Sequence, residues 1–175
     1  MAKVAIVLAD MFEDVELTSP KQALEQAGHE TTIIGTKAGE QVTGKSEGTT
    51  VTIEKAFTEV SPKDFDALLI PGGYSPDHLR ADDDALAFVR GMFADVKPTF
   101  SICHGPQLLV NADVLNGKTI TAVKQVAVDV KNAGATFVDD EVVIDEPHKL
   151  ISSRTPADIP AFDQTIVDKL AEWQN

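Results

Sequence analysis

Short apolar runs alternate with longer amphipathic stretches along the whole chain of 175 residues. The apolar runs, such as residues 3–9 and 66–73, have the length of strands that are buried on both faces of a sheet. The amphipathic stretches are typical of helices, and the one at 82–96 begins with aspartates, which the helix dipole favours at that end. The predicted strands are 3–9, 31–36, 66–73, 98–102, 118–123 and a pair within 136–154, and the predicted helices lie within 17–30, 82–96, 105–117, 124–134 and 156–173.

This alternation predicts the fold class. Strands that alternate with helices of about 10 to 15 residues form βαβ units and a mostly parallel sheet that is covered on both faces. We therefore expect one α/β domain over residues 1–175, with a flavodoxin-like three-layer α/β/α architecture, and a hairpin or edge excursion at 39–54. Ligands of such sheets bind beyond the carboxyl ends of the strands, where the stretches 10–16, 71–77 and 102–106 would converge.

Composition and charge exclude several classes of function. The net charge is -13 and the 15 basic residues are scattered without a run, which argues against a nucleic-acid partner. No apolar run approaches the roughly 20 residues that cross a bilayer, so no membrane association is expected. The N-terminal apolar stretch is only about six residues long and lacks a cleavage site, so it is not interpreted as a signal peptide. A single cysteine fits a reducing compartment, and we expect a cytoplasmic location.

That cysteine, Cys103, lies between a predicted buried strand and a predicted helix. The order matches a nucleophile elbow, in which a sharp turn presents the nucleophile at the end of a strand. Gly105 permits close approach of the backbone, and Pro106 suits the first turn of a helix. The helix dipole would then lower the thiol pKa below its usual value of about 8.5. A lone cysteine is more often a small buried residue, but the strand–turn–helix context favours the reactive interpretation.

Other polar residues at the strand ends can take part in chemistry. His104 can act as general base or acid beside the thiol, although a surface or packing histidine is an equal alternative. The other three histidines show no spacing typical of a metal site, so neither a metal nor another cofactor is expected. Among Glu13, Asp14 and Glu16, one acid can tune the protonation of the thiol, while an acidic helix start accounts for at least two of them.

The stretch 71–77 adds backbone donors and one more acid. The N–H groups of Gly72 and Gly73 can stabilise an oxyanion, although Pro-Gly-Gly alone is simply a turn after a strand. Asp77 can orient the histidine.

Four spaced motifs together resemble the ThiJ/PfpI family of intracellular cysteine enzymes, which belongs to the class I glutamine-amidotransferase-like superfamily. They are FEDVEL, DFDALLIPGGYSPDHLR, SICHGPQLL and SSRTPAD. The resemblance spans nearly the whole chain in the same order and is closest to the PfpI, or intracellular protease I, branch.

The resemblance implies a role for the residues of the elbow. Cys103 matches the nucleophile, and His104 matches the adjacent histidine of the PfpI branch. Glu16 matches an acid that is typically protonated and hydrogen-bonded to the cysteine sulfur. Glu13 and Asp14 would then be surface neighbours.

The resemblance also implies an assembly. Gly72 and Gly73 match the backbone donors of the oxyanion position, and Asp77 matches a carboxylate, often Glu, that reaches the histidine across a subunit interface. Val123 replaces an aromatic residue that some members have, and Arg154 is expected to brace the fold or an interface. Family members form homodimers, and some form hexamers of those dimers, so a homo-oligomer is expected here.

From the family we expect a cysteine-nucleophile hydrolase that acts in stress protection. Its substrates would be small aldehydes and glycated adducts, as in a deglycase or cofactor-free glyoxalase, or peptides, as in an intracellular peptidase. We favour small carbonyls, because a site shaded by a second subunit admits them more easily than a folded protein.

Two other functions remain open. In a redox-responsive stress protein or chaperone, Cys103 would oxidise to a sulfinic acid stabilised by Glu16. His104 favours catalysis over this alternative, since a sensor needs no histidine beside the thiol. The third interpretation is a stable domain with a degenerate site, which Asp77 and Val123 would explain.

Overall fold

The structure, a computed structural model of the chain, describes residues 1–175. The strands are β1 (Lys3–Val7), β2 (Glu30–Gly35), β3 (Gln41–Thr43), β4 (Thr50–Thr52), β5 (Lys55–Ala56), β6 (Ala67–Ile70), β7 (Thr99–Ile102), β8 (Thr119–Ile120), β9 (Thr136–Phe137), β10 (Val143–Asp145) and β11 (Leu150–Ser153). The helices are α1 (Asp14–Gln26), α2 (Ser75–Leu79), α3 (Asp83–Ala94), α4 (Pro106–Asn111), α5 (Ala127–Asn132) and α6 (Ile159–Trp173).

Seven strands form the central sheet, in the order β10-β11-β7-β6-β1-β2-β5. All neighbouring pairs in it are parallel except β10 with β11 at one edge. The connection from β2 to β5 carries the predicted hairpin, in which β3 and β4 pair antiparallel outside the central sheet. The predicted mostly parallel sheet is confirmed.

Side chains that alternate across the strands place one apolar core on each face of the sheet. On β1, Ala5 and Val7 face a core that includes residues of α3, α4 and α5. Val4 and Ile6 face the opposite core, which includes residues of α1 and α6. This arrangement is the predicted three-layer α/β/α sandwich with a flavodoxin-like fold.

Several predicted bounds were wrong. Helix α1 begins at Asp14 instead of near residue 17, so Pro20 is its seventh residue and not part of its first turn. Helix α4 ends at Asn111, well before 117, because Asp113 turns into the left-handed region with φ 58°. The strand expected at 118–123 shortens to β8, which pairs with β9 outside the central sheet. No helix has the length and apolar character that crossing a membrane requires.

Candidate active site

Cys103 occupies the sharp turn that joins β7 to α4. Its φ is 60°, in the left-handed region that residues with a side chain rarely adopt, at a cost of roughly 1–2 kcal/mol. Two neighbouring segments hold this turn. The N–H of Cys103 donates to the carbonyl of Ser153 at 3.0 Å, and its carbonyl accepts the N–H of Val123 at 3.1 Å. The predicted strand–turn–helix elbow is therefore present, and its backbone is strained.

Gly105 makes the tight turn possible. A Cβ at this position would lie 2.5 Å from Ser101 Oγ and 2.9 Å from the carbonyl oxygen of Ile70. Real Cβ atoms do not approach backbone oxygens so closely, so only glycine allows the elbow to lie against β6 and β7.

His104 is the hydrogen-bonding partner of the cysteine. Its Nδ1 lies 3.3 Å from Cys103 Sγ. Burial lowers the pKa of His104, and the positive charge of Lys45 lowers it further. The ring is therefore neutral at pH 7, and in the tautomer with its proton on Nε2 it can accept the thiol proton.

Glu16 lies fully buried in the first turn of α1. Its Oε1 accepts the N–H of Gly72 at 2.9 Å, while Oε2 has no hydrogen-bond partner. Burial raises the pKa of Glu16 to about 8, since the hydrogen bond from Gly72 only partly offsets desolvation and the negative charge of Glu13 adds to it. Glu16 therefore holds its proton at pH 7.

The thiol and Glu16 titrate as a coupled pair. Burial raises the pKa of the Cys103 thiol, an ionised Glu16 raises it further, and the backbone N–H of His104 lowers it. The expected lowering of this pKa was wrong, because α4 has only six residues and its dipole does not outweigh burial next to a carboxyl group. At pH 7 Cys103 is therefore a thiol, and ionisation of Glu16 at higher pH would raise its pKa further.

The two glycines after β6 differ in what they offer a substrate. The N–H of Gly72 is already bound to Glu16, so its predicted use as a free oxyanion donor was wrong. The N–H of Gly73 donates to no group of the chain, and that of His104 is directed at the sulfur. Among the backbone donors, Gly73 thus has an unpaired N–H, and His104 has one beside Cys103.

Asp77 does not reach His104 within one chain. Its side chain is 62% exposed, and its ion-pair partner is Arg80, the residue just after α2, at 3.8 Å. No hydrogen bond joins Asp77 to His104, whose side chain pairs only with Cys103.

The acidic stretch at residues 13–16 differs from the expectation in the burial of Asp14 and in the pairing of Glu13 with Lys45. Asp14 is fully buried, so its prediction as a surface neighbour was wrong. Glu13 is partly exposed and pairs with Lys45, whose Nζ lies 3.1 Å from Glu13 Oε2. No sequence pattern indicated Lys45, which lies in the hairpin between β3 and β4.

Val123 and Arg154 lie in the segments that follow β8 and β11. Val123 is partly buried and contacts the elbow through its N–H. The guanidinium of Arg154 pairs with Asp158 at 3.0 Å and with Asp139 at 3.1 Å, which confirms that it braces the fold at the start of α6. No cluster of three or more His, Cys, Asp or Glu side chains is arranged to hold a metal ion.

Comparison with known proteins adds to this geometry. The sequence model of the DJ-1/PfpI family matches residues 2–169. The chain is 52% identical over 162 residues to "Protein/nucleic acid deglycase 2" of Escherichia coli (strain K12), covering 93% of this chain and 94% of that protein. It is 48% identical over 168 residues to "Putative cysteine protease YraA" of Bacillus subtilis (strain 168), covering 96% and 98%.

A solved structure from Anabaena variabilis has the same fold. It is a two-domain protein with DJ-1/ThiJ/PfpI-like and ferritin-like domains, and it superposes with a TM-score of 0.94 at 35% identity. The alignment covers 98% of this chain and 48% of that protein, so the chain spans about half of its length.

Proposed function

The chain belongs to the DJ-1/PfpI family, and we propose that it is an enzyme in which Cys103 attacks the carbonyl carbon of small reactive aldehydes or of their adducts with amines. The observation that carries the proposal is the 3.3 Å pairing of Cys103 Sγ with a neutral His104, next to a protonated Glu16. Similarity to a protein named as a deglycase supports the substrate class. The residue Cys103 is only 9% exposed, which favours a small substrate over a folded protein.

The geometry supports a general-base attack. As the bond between sulfur and carbon forms, the thiol proton passes from Sγ to Nδ1 of His104. The π electrons of the carbonyl move to its oxygen, which the N–H groups of Gly73 and His104 stabilise. His104 then returns the proton to that oxygen, which gives a hemithioacetal. Glu16 remains neutral during this step and adds no negative charge beside the sulfur.

The overall reaction with methylglyoxal consumes water and yields lactate. The aldehyde carbon is oxidised to a carboxylate while the ketone carbon is reduced to an alcohol, so no external oxidant or reductant is required. With an amine adduct of methylglyoxal, the free amine is released as well.

A panel of substrates tests this proposal. We expect lactate from methylglyoxal and from a methylglyoxal-modified amine, and slower or no cleavage of fluorogenic peptides. Cleavage of the peptides alone would contradict the carbonyl reaction and indicate a peptidase. Inactivity on all three would contradict an enzyme of either kind.

We also propose a homodimer in which Asp77 of one chain approaches His104 of the other. The support is the exposed carboxylate of Asp77 together with exposed apolar side chains of Met11 and Tyr74 near the same loop. Light scattering should give the mass of a dimer or of a larger assembly. A monomer at micromolar concentration, or full activity in Asp77→Ala, would contradict this arrangement.

One observation favours the redox alternative. Oε2 of Glu16 is buried next to the sulfur without a partner, so a protonated Glu16 can donate a hydrogen bond to an oxygen of an oxidised cysteine. Two equivalents of peroxide would convert the thiol to a sulfinic acid and release two waters. Mass spectrometry should then find that product selectively at Cys103, and its absence would remove the support for a sensor.

A further inference from the structure

The loop between β3 and β4 is wrapped around the buried carboxylate of Asp14. This carboxylate accepts the N–H groups of Ser46 at 2.9 Å, Glu47 at 3.1 Å and Thr49 at 2.9 Å. Gly44 lies against the same group, and a Cβ there would overlap the carboxylate. The loop is therefore fixed to the first turn of α1, two residues from Glu16.

Lys45 is part of this fixed loop and lies beside the turn after β6. Its N–H donates to the carbonyl of Phe12 at 2.8 Å, and Phe12 forms a β-bridge with Gly73. Its Nζ lies 3.1 Å from Glu13 and 5.9 Å from the centre of the Tyr74 ring. On the inner side of the same turn, a Cβ on Gly72 would lie 3.0 Å from Cys103 Cβ. Lys45 is thus joined through Phe12 and Gly73 to the turn whose Gly72 lies against Cys103.

The charged and titratable groups that act on Cys103 come from several elements. Glu16 on α1, the backbone N–H of His104 and Lys45 in the hairpin act on Cys103 directly, while Glu13 acts on Glu16 and pairs with Lys45, and the ring of Tyr74 lies under Lys45. Lys45 is the cation among them. Its positive charge opposes the effect of burial and of Glu16 on the pKa of the thiol, and it disfavours protonation of His104.

We propose that Lys45 is a positioning residue of this site, which stabilises the anionic sulfur of Cys103 and keeps His104 neutral through its charge. The inference rests on the proposed function, because it assigns a role in the same attack. It adds a cation from the hairpin to a site that otherwise consists of the elbow, α1 and the turn after β6.

The test is the rate at which iodoacetamide alkylates Cys103, measured from pH 6 to pH 10. Because burial raises the pKa of the thiol, the midpoint of this profile lies above the usual range, and its shift is measured as the displacement along the pH axis between the rising lines of log rate against pH. In Lys45→Met, we expect the midpoint of this profile to move up by about 0.5 to 1 pH unit at low salt. Lys45→Arg should restore the wild-type midpoint. The matched control is Lys55→Met, which removes an exposed lysine on the edge strand β5 and should leave the midpoint unchanged.

The sign of the shift separates an electrostatic role from a structural one. Glu13→Gln removes the partner carboxylate of Lys45, so its midpoint should move down. An unchanged midpoint in Lys45→Met would overturn the proposal, and so would equal upward shifts in Lys45→Met and Lys45→Arg.

Alkylation requires no substrate, so it is independent of the proposed reaction. If the carbonyl reaction fails but the Lys45→Met midpoint still moves, only the proposed function is refuted. If the wild-type protein turns over methylglyoxal and the midpoint does not move, only the role of Lys45 is refuted.

Discussion

Replacing Glu16 with Gln should stabilise the fold at neutral and alkaline pH while it impairs the site. Burial holds the pKa of Glu16 at about 8, far above its ordinary value of 4.5. In the unfolded chain the carboxyl group loses its proton near pH 4.5, but in the folded chain it keeps the proton until about pH 8. The folded state is therefore at no disadvantage below pH 4.5, and it loses stability progressively as the pH rises from there through 8.

The size of the effect follows from the shift. Each pKa unit corresponds to about 1.4 kcal/mol, so this residue costs about 3 kcal/mol of unfolding free energy at pH 7 and about 5 kcal/mol at pH 9. Gln keeps an oxygen that can accept the N–H of Gly72 but removes the titration. Since its amide must also find room beside the sulfur, we expect a net gain of about 2 kcal/mol at pH 7.

Guanidinium denaturation at one protein concentration, at pH 4.5, 7 and 9, measures this gain. The control is Glu40→Gln, which neutralises an exposed acid and should change stability by less than about 0.5 kcal/mol at each pH. The advantage of Glu16→Gln over wild type should grow with pH. A difference that is the same at all three pH values, or a variant that is less stable than wild type at pH 9, would refute the reasoning.

Three further predictions concern the elbow and its surroundings. His104→Ala should lower kcat/KM for methylglyoxal about 100-fold. Because the pKa of His104 is lowered from its ordinary value of 6.5, the apparent pKa on the acidic side of the wild-type pH profile should lie below 6.5. An apparent pKa above 6.5 would contradict a neutral base. Gly105→Ala should destabilise the fold by more than about 2 kcal/mol in urea denaturation, whereas Gly39→Ala, which has a positive φ but open space around it, should cost less. Asp14→Asn should lower the free energy of unfolding by roughly 2 kcal/mol at pH 7. Burial alone would raise the pKa of Asp14, but hydrogen bonds from Thr49, Ser46 and Glu47 outweigh burial and hold this pKa well below its usual range. The stability deficit of Asp14→Asn should shrink as the pH falls below about 4, and a deficit independent of pH would contradict an ionised, hydrogen-bonded Asp14.

The elbow was predictable because its signals are local. A buried strand, then Cys103, His104, Gly105 and Pro106, then a helix specify one kind of turn, and the chain adopts it. The sheet was predictable for the same reason, since its strands are short apolar runs that are buried on both faces.

The protonation states in the site depend on contacts that are distant in sequence. Gly72 reaches Glu16 from 56 residues away, and this bond both occupies a donor and leaves Oε2 unpaired. Cys103 belongs to the apolar core that includes residues of α1 and α6, and the burial that raises its pKa therefore depends on packing that no local pattern contains.

Contacts between residues distant in sequence also explain why the roles of Asp14 and Lys45 were not predicted. An aspartate after a strand reads as an ordinary helix start, yet here it binds a loop more than 30 residues further along.

The most direct test of the central claim is methylglyoxal turnover by wild type and by Cys103→Ser, purified side by side with matching circular dichroism spectra. If the sulfur is the nucleophile, lactate formation in Cys103→Ser should fall at least about 1000-fold, to the level of a blank, while the fold is retained. A folded Cys103→Ser protein that keeps a tenth or more of the wild-type rate would contradict the account.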